Sequence, residues 1–155
     1  MKRTLSLFLF IVMIGVGLQS ETVFVSVLEQ TPDMTLYNFE ASSAWESGVL
    51  DALFDMGAIV SNTPIQAFLS FDKNEALQLA RDGGADSLLV VKLDYLIIPK
   101  EKTNIRPVPG TVHYSLYSVL SGKLLKQLSY NPSSLSERVE EDKNMAKQQT
   151  QVFYK

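Results

Sequence analysis

Leu88 to Ile98 constrains the fold of this chain more than any other segment. It is apolar and rich in β-branched residues, and it follows Gly83 and Gly84 too closely to continue a helix. Side chains alternate across a strand, and here the two sides differ. Leu89, Val91, Leu93, Tyr95 and Ile97 make one side wholly apolar, whereas the other mixes Leu88, Val90 and Leu96 with Lys92 and Asp94. Such a strand belongs at the centre of a sheet whose first face meets helices and whose second is at least partly wet.

The flanking sequence supplies the rest of that sheet. Thr22 to Leu28 places Val23, Val25 and Val27 on one side, the period of a half-buried strand. Ser43 and Glu46 have capping-box spacing, and Trp45, Val49, Leu53 and Met56 recur at helical intervals, predicting a helix over 44–56 with Trp45 as its core anchor. Gly57 ends it, and a short strand over 58–61 runs up to Pro64. Asp72 with Glu75 opens the next helix, which Asp82, Gly83 and Gly84 close. Beyond the central strand, 111–119 and 123–130 form a hairpin about Ser121 and Gly122. Ser134 and Glu137 then open a last helix whose thin stripe of Leu135, Val139 and Ala146 predicts weak docking for 131–155. The order β-α-β-α-β-β-α predicts an α+β fold, a mixed sheet with helices packed on one face.

The chain opens with a different signal. Lys2 and Arg3 precede an apolar run from Leu5 to Leu18, which as a helix spans only about 21 Å against a hydrocarbon core of about 30 Å. Residues 1–20 therefore read as a secretory signal peptide cleaved near Ser20, give or take three residues; the alternative is an uncleaved inner-membrane anchor. Residues 21–155 remain as a single domain with no stable membrane span. Removing 1–20 takes away two basic residues and no acidic one, so the net charge of −3 becomes −5.

That acidic balance argues against nucleic acid as a partner. The chain has no cysteine, which excludes disulfides, thiolate metal sites, a cysteine nucleophile and a lipidated cysteine together. A diderm periplasm is the simplest compartment for such a domain.

The segment "EALQLARDGGAD" running into "SLLVVKLDY" and then "HYSLYSVLSGKLLKQL" resembles a pattern shared by several envelope proteins. These are the amino-terminal domain of TolB, the curli secretion subunit CsgG, and the outer-membrane lipoprotein activators of penicillin-binding proteins. Ala80 followed by Gly84, Ala85 and Asp86 matches the helix and turn, and Ser121-Gly122-Lys123 matches the hairpin turn. The resemblance covers 22–130 and implies a non-catalytic adaptor domain. Two departures stand beside it: there is no cysteine to lipidate, and no room for the propeller that follows in the Tol type.

Catalytic motifs are sparse. There is no G-x-S-x-G elbow, P-loop, H-E-x-x-H or dinucleotide fingerprint in 21–155. His113 is the only histidine and falls on a hairpin strand, so neither a metal nor another cofactor is expected. Lys92 and Asp94 lie about 7 Å apart on one strand face, as a solvated pair or a partner surface. The long connection over 99–110 adds Lys100, Lys102 and Arg106 against Glu101, a basic excess suited to an anionic or acidic partner. The sequence thus predicts an exported adaptor acting on envelope proteins through Lys92, Asp94, Lys100, Lys102 and Arg106. A hydrolase using paired carboxylates and a subunit of a secretion or motility assembly are the alternatives.

Overall fold

A computed structural model describes residues 20–32, 39–96, 109–132 and 138–155. The strands are β1 (Thr22–Gln30), β2 (Ile59–Asn62), β3 (Gln66–Ala67), β4 (Ser87–Tyr95), β5 (Pro109–Ser118) and β6 (Leu124–Tyr130). The helices are α1 (Glu40–Asp55), α2 (Lys73–Asp82) and α3 (Val139–Tyr154), with a 3-10 turn at Phe68–Ser70. The sheet runs β2-β1-β4-β5-β6, with the two-residue β3 also on β1. β1 is parallel to β2, β3 and β4, and the hairpin of β5 and β6 is antiparallel, so the sheet is mixed and the class is α+β. β4 is central. Its alternation places Leu89, Val91, Leu93 and Tyr95 in the main core with Val23, Val25 and Val27 of β1, Val112 and Tyr114 of β5, and Trp45, Val49, Leu53, Ala146 and Phe153 of α1 and α3.

Only α1 and α3 share that face, which corrects the one-sided packing expected of all the helices. α2 lies on the opposite side, where Ala76, Leu77 and Ala80 cover Phe24, Leu28, Leu88 and Val90. The apolar half of the mixed side of β4 attracts it there. Asp72 caps α2 as its spacing implies, its carboxylate accepting from the backbone N–H of Asn74 at 2.7 Å and of Glu75 at 3.3 Å.

α1 begins at Glu40, about one turn earlier than a Ser43 cap allows, with no side-chain cap on Phe39. Tertiary contacts set this start: the Phe39 ring lies 4.3 Å from that of Tyr95, and the buried Ser42 hydroxyl is 2.7 Å from the Tyr95 hydroxyl. Glu46, freed from capping, accepts from Asn62 Nδ2 at 2.9 Å. The capping box at Ser134 and Glu137 lies outside the described residues.

α3 is seated more closely than its apolar stripe suggests. It runs alongside α1 in parallel, with Lys143 bonded to Asp51 at 2.9 Å and Lys147 to Asp55 at 2.6 Å. Ala146, Thr150 and Phe153 are buried, and the Phe153 ring stacks on Tyr114 at 5.3 Å. Gly122 supplies the left-handed residue of the β5–β6 turn, at φ 67°. No helix among the described residues is long and apolar enough to cross a membrane.

Candidate functional site

The site follows from a mismatch of lengths. α2 has 10 residues and reaches about 15 Å, whereas the nine residues of β4 extend about 30 Å. Among the described residues, one half of this sheet face is therefore left without a helix, and the second half of β4 projects Lys92 and Asp94 into it. Both are half-buried, in agreement with the expected partly wet face.

Strand register builds a polar row across this shelf. Lys92 stands opposite Leu28 of β1 and His113 of β5, and His113 stands opposite Ser129 of β6. Asp94 stands between Gln30 and Thr111. Lys92 Nζ lies 3.1 Å from Asp94 Oδ1 and donates to Gln30 Oε1 at 3.0 Å, with the Phe68 ring centroid 4.8 Å away. His113 Nε2 is 2.8 Å from Asp94 Oδ2, and its Nδ1 is 2.7 Å from Ser129 Oγ. The imidazole bridges the Asp94 carboxylate and the Ser129 hydroxyl, one through each ring nitrogen. One carboxylate thus organises a lysine and a histidine, and with Gln30 the row joins side chains from four strands. As a half-exposed ion pair, Lys92–Asp94 contributes under about 1 kcal/mol, so its ordering matters more than its strength. Phe68, Leu69 and Leu96 are exposed apolar residues, and the Phe68 ring lies against Lys92.

Asp94, His113 and Ser129 are the residue types of a nucleophilic relay. The strand setting decides what they can do: backbone N–H groups of a strand lie in the plane of the sheet, while Ser129 projects along its normal. They are not aimed at an oxyanion forming over the hydroxyl, which is the stabilisation that acyl transfer most needs.

A recess of about 110 Å³ opens between α2 and β1, lined by Ser26, Thr63, Gln66, Phe71, Asp72, Glu75, Ala76 and Leu79. It has room for several waters. Its two carboxylates do not converge as an acid and base, because Asp72 is spent on the α2 cap. Among the described residues, no cluster of three or more His, Cys, Asp or Glu is placed to hold a metal ion.

Lys92 and Asp94 are therefore brought together as expected. Lys100, Lys102 and Arg106 lie outside the described residues; the ends of their segment, Tyr95 and Pro109, pair with each other beside Asp94. His113 and Ser129 extend the shelf beyond what strand alternation in β4 indicated. Counting back from the Ser121-Gly122 turn could have joined them, but the register slips by one residue at Leu116/Tyr117.

The architecture defines an α+β domain of a kind already seen in solved structures. A point variant of the PelC dodecamer from Paraburkholderia phytofirmans matches with a TM-score of 0.53 at 18% identity, over 88% of this chain and 90% of that one. Lipoprotein GNA1162 from Neisseria meningitidis matches at 0.49 and 14% identity, over 76% and 88%. The LpoB C-terminal domain from Escherichia coli matches at 0.49 and 16% identity, over 74% and 84%. No family model matches the sequence, and no curated protein does.

Proposed function

We propose that this protein is an exported, non-catalytic binding module of the cell envelope, working by protein contact through the open half of the sheet. The observation that carries this reading is the shelf itself: a stretch of sheet face that no α-helix covers among the described residues, with a connected row of Lys92, Asp94, His113 and Ser129. The exposed Phe68 ring against Lys92 fits the pattern of an interface in which desolvated apolar area accompanies oriented polar groups. Lys100, Lys102 and Arg106 lie in sequence between Tyr95 and Pro109, which pair beside Asp94, and we assign them to the same partner surface on that ground. They favour an acidic partner. The amino-terminal signal supports an envelope setting, with periplasmic residence after cleavage near Ser20.

The test is co-purification of the tagged mature chain from cross-linked envelopes. Lys92→Glu and Arg106→Glu should each reduce recovery of the partner while leaving the melting temperature nearly unchanged. If both capture normally, while Asn144→Arg and Gln148→Arg on the exposed side of α3 abolish capture, α3 is the binding element and the shelf is not. Deleting α3 is not a usable control, because Phe153 belongs to the core.

A second reading, a subunit of a larger assembly, is favoured by the PelC structure, which is a dodecamer. Sedimentation of the mature protein separates the two: a single large species supports assembly, and its absence removes that reading.

A further inference from the structure

β6 is the outer strand of the sheet, and its far edge pairs with no strand among the described residues. The two edges of the sheet are unequal. β2 is four residues long and the pairing along β1 is broken before the two-residue β3, the short, interrupted form that discourages strand addition. β6 is seven residues long, contains no proline, and is exposed at every position from Leu124 to Ser129. Leu124, Leu125 and Leu128 are 48%, 60% and 39% exposed, and Lys126 is the only charge. An edge of this composition is a template for another strand.

The geometry points to a second copy of this chain as that strand, with the two β6 edges antiparallel about Gln127 and the sheets joined into one. Full overlap of the seven residues centres the pair on Gln127, and charge placement excludes the neighbouring centre at Lys126. Pairing about Lys126 would set the only cation of the strand directly opposite itself, which is destabilising. Pairing about Gln127 instead sets Lys126 opposite Leu128 of the second copy, Leu125 opposite Ser129, Leu124 opposite Tyr130, and one Gln127 amide opposite the other. Each exposed leucine then gains a neighbour. The Lys126 ammonium already lies 5.2 Å from the centroid of the Phe153 ring, so its stem covers the core beside the seam. The contact is isologous and closes at two chains. Because Ser129 ends the row that begins at Lys92, the two polar shelves would meet on one side of the joined sheet. This inference is independent of what the shelf binds.

The absence of cysteine gives a test specific for register. Directly opposed residues in an antiparallel pair have Cα atoms about 4.5–5.5 Å apart, within the reach of a disulfide, about 4.4–6.8 Å. In the mature protein, Gln127→Cys should form a linked dimer rapidly under mild oxidation. Ser129→Cys alone should not, since its two copies would stand four residues apart, roughly 13 Å. A mixture of Leu125→Cys and Ser129→Cys chains should link as the heterodimer. Sedimentation should show the wild-type chain as a concentration-dependent dimer, and Gln127→Pro should shift it to monomer. A wild-type chain that stays monomeric at the highest attainable concentration overturns the proposal, including the case in which β6 accepts a foreign peptide instead. So does Ser129→Cys linking as fast as Gln127→Cys. If Gln127→Pro fails to fold, the cysteine variants decide the matter alone.

Discussion

Gly48 of α1 and Ala146 of α3 meet where the two helices approach most closely: a Cβ added to Gly48 would lie 2.7 Å from the Ala146 Cβ and closer still to the Lys143 carbonyl. Backbone limits this approach, so a larger residue at 48 must push α3 away rather than turn a side chain aside. Gly48→Ala gains helix propensity, about 1 kcal/mol in an isolated helix. Overpacking costs about 1–3 kcal/mol or more and strains the ion pairs Lys143–Asp51 and Lys147–Asp55 with it. The expected outcome is a clear loss of stability in urea melts. An unchanged or raised midpoint would show that the helices can separate freely.

Trp45 is fully buried in the main core, and no acceptor among the described residues reaches its indole Nε1. Trp45→Ala should cost about 3–5 kcal/mol through lost contacts and the cavity left behind. Trp45→Phe keeps much of the apolar volume and removes a buried donor, whose desolvation costs about 1–3 kcal/mol when unpaired. It should therefore lose less than half as much. Denaturant melts of both variants check this, and equal losses would mean that the indole shape alone sets the packing.

What could be read from the sequence was whatever repeats at short range. The alternation of 88–95 revealed the central strand and its two unlike faces, and Asp72, Gly57 and Gly122 marked real boundaries. Long-range contacts fixed what could not be read. The start of α1 depends on Phe39 meeting Tyr95, far along the chain, while the Ser43–Glu46 spacing recurs inside the helix by coincidence of its period. The side chosen by α2 depends on Leu88 and Val90 offering an apolar half-face. The seating of α3 depends on small residues, Gly48 and Ala146, which add little to an apolar stripe. In the candidate site, Lys92 and Asp94 were legible as strand neighbours, whereas the reach to His113 and Ser129 required the register of three strands.

Two phenols make stability depend on alkaline pH. Burial is the first cause of an upward shift for both Tyr114 and Tyr154, offset in part by hydrogen bonds from Thr150 and Ser87 respectively. In the unfolded chain these groups ionise near the ordinary value of 10.0. A group whose folded value is raised gives stability that is complete below its unfolded value and is lost as pH rises toward the folded one. Unfolding should therefore become progressively easier above about pH 10. Tyr114→Phe should flatten that dependence. Spectrophotometric titration should show Tyr114 and Tyr154 ionising late, together with loss of structure, and Tyr114→Phe and Tyr154→Phe should each remove part of that late step. A fully reversible titration of all six tyrosines at ordinary values would refute the shift.

The sheet bounds where a signal peptidase could cut. The Glu21 carbonyl accepts from Ile59 N at 2.9 Å, and Thr22 N donates to Asp86 Oδ2 at 2.8 Å, so Glu21 and Thr22 already anchor β1 between its neighbours. Ser20 is held more lightly, by its hydroxyl donating to the Gly57 carbonyl. A cut after Ser20 leaves the sheet whole and creates a new ammonium at Glu21, whose own carboxylate accepts from Ser87 Oγ at 2.9 Å. A cut after Val23 would remove ladder residues that pair with β2 and β4. Signal processing is therefore expected to leave a first residue no later than Glu21, within the window from Leu18 to Val23. Intact-mass measurement on protein released from the periplasm checks this directly. Recovery of all 155 residues from the membrane fraction would show instead that the apolar run is retained as an anchor.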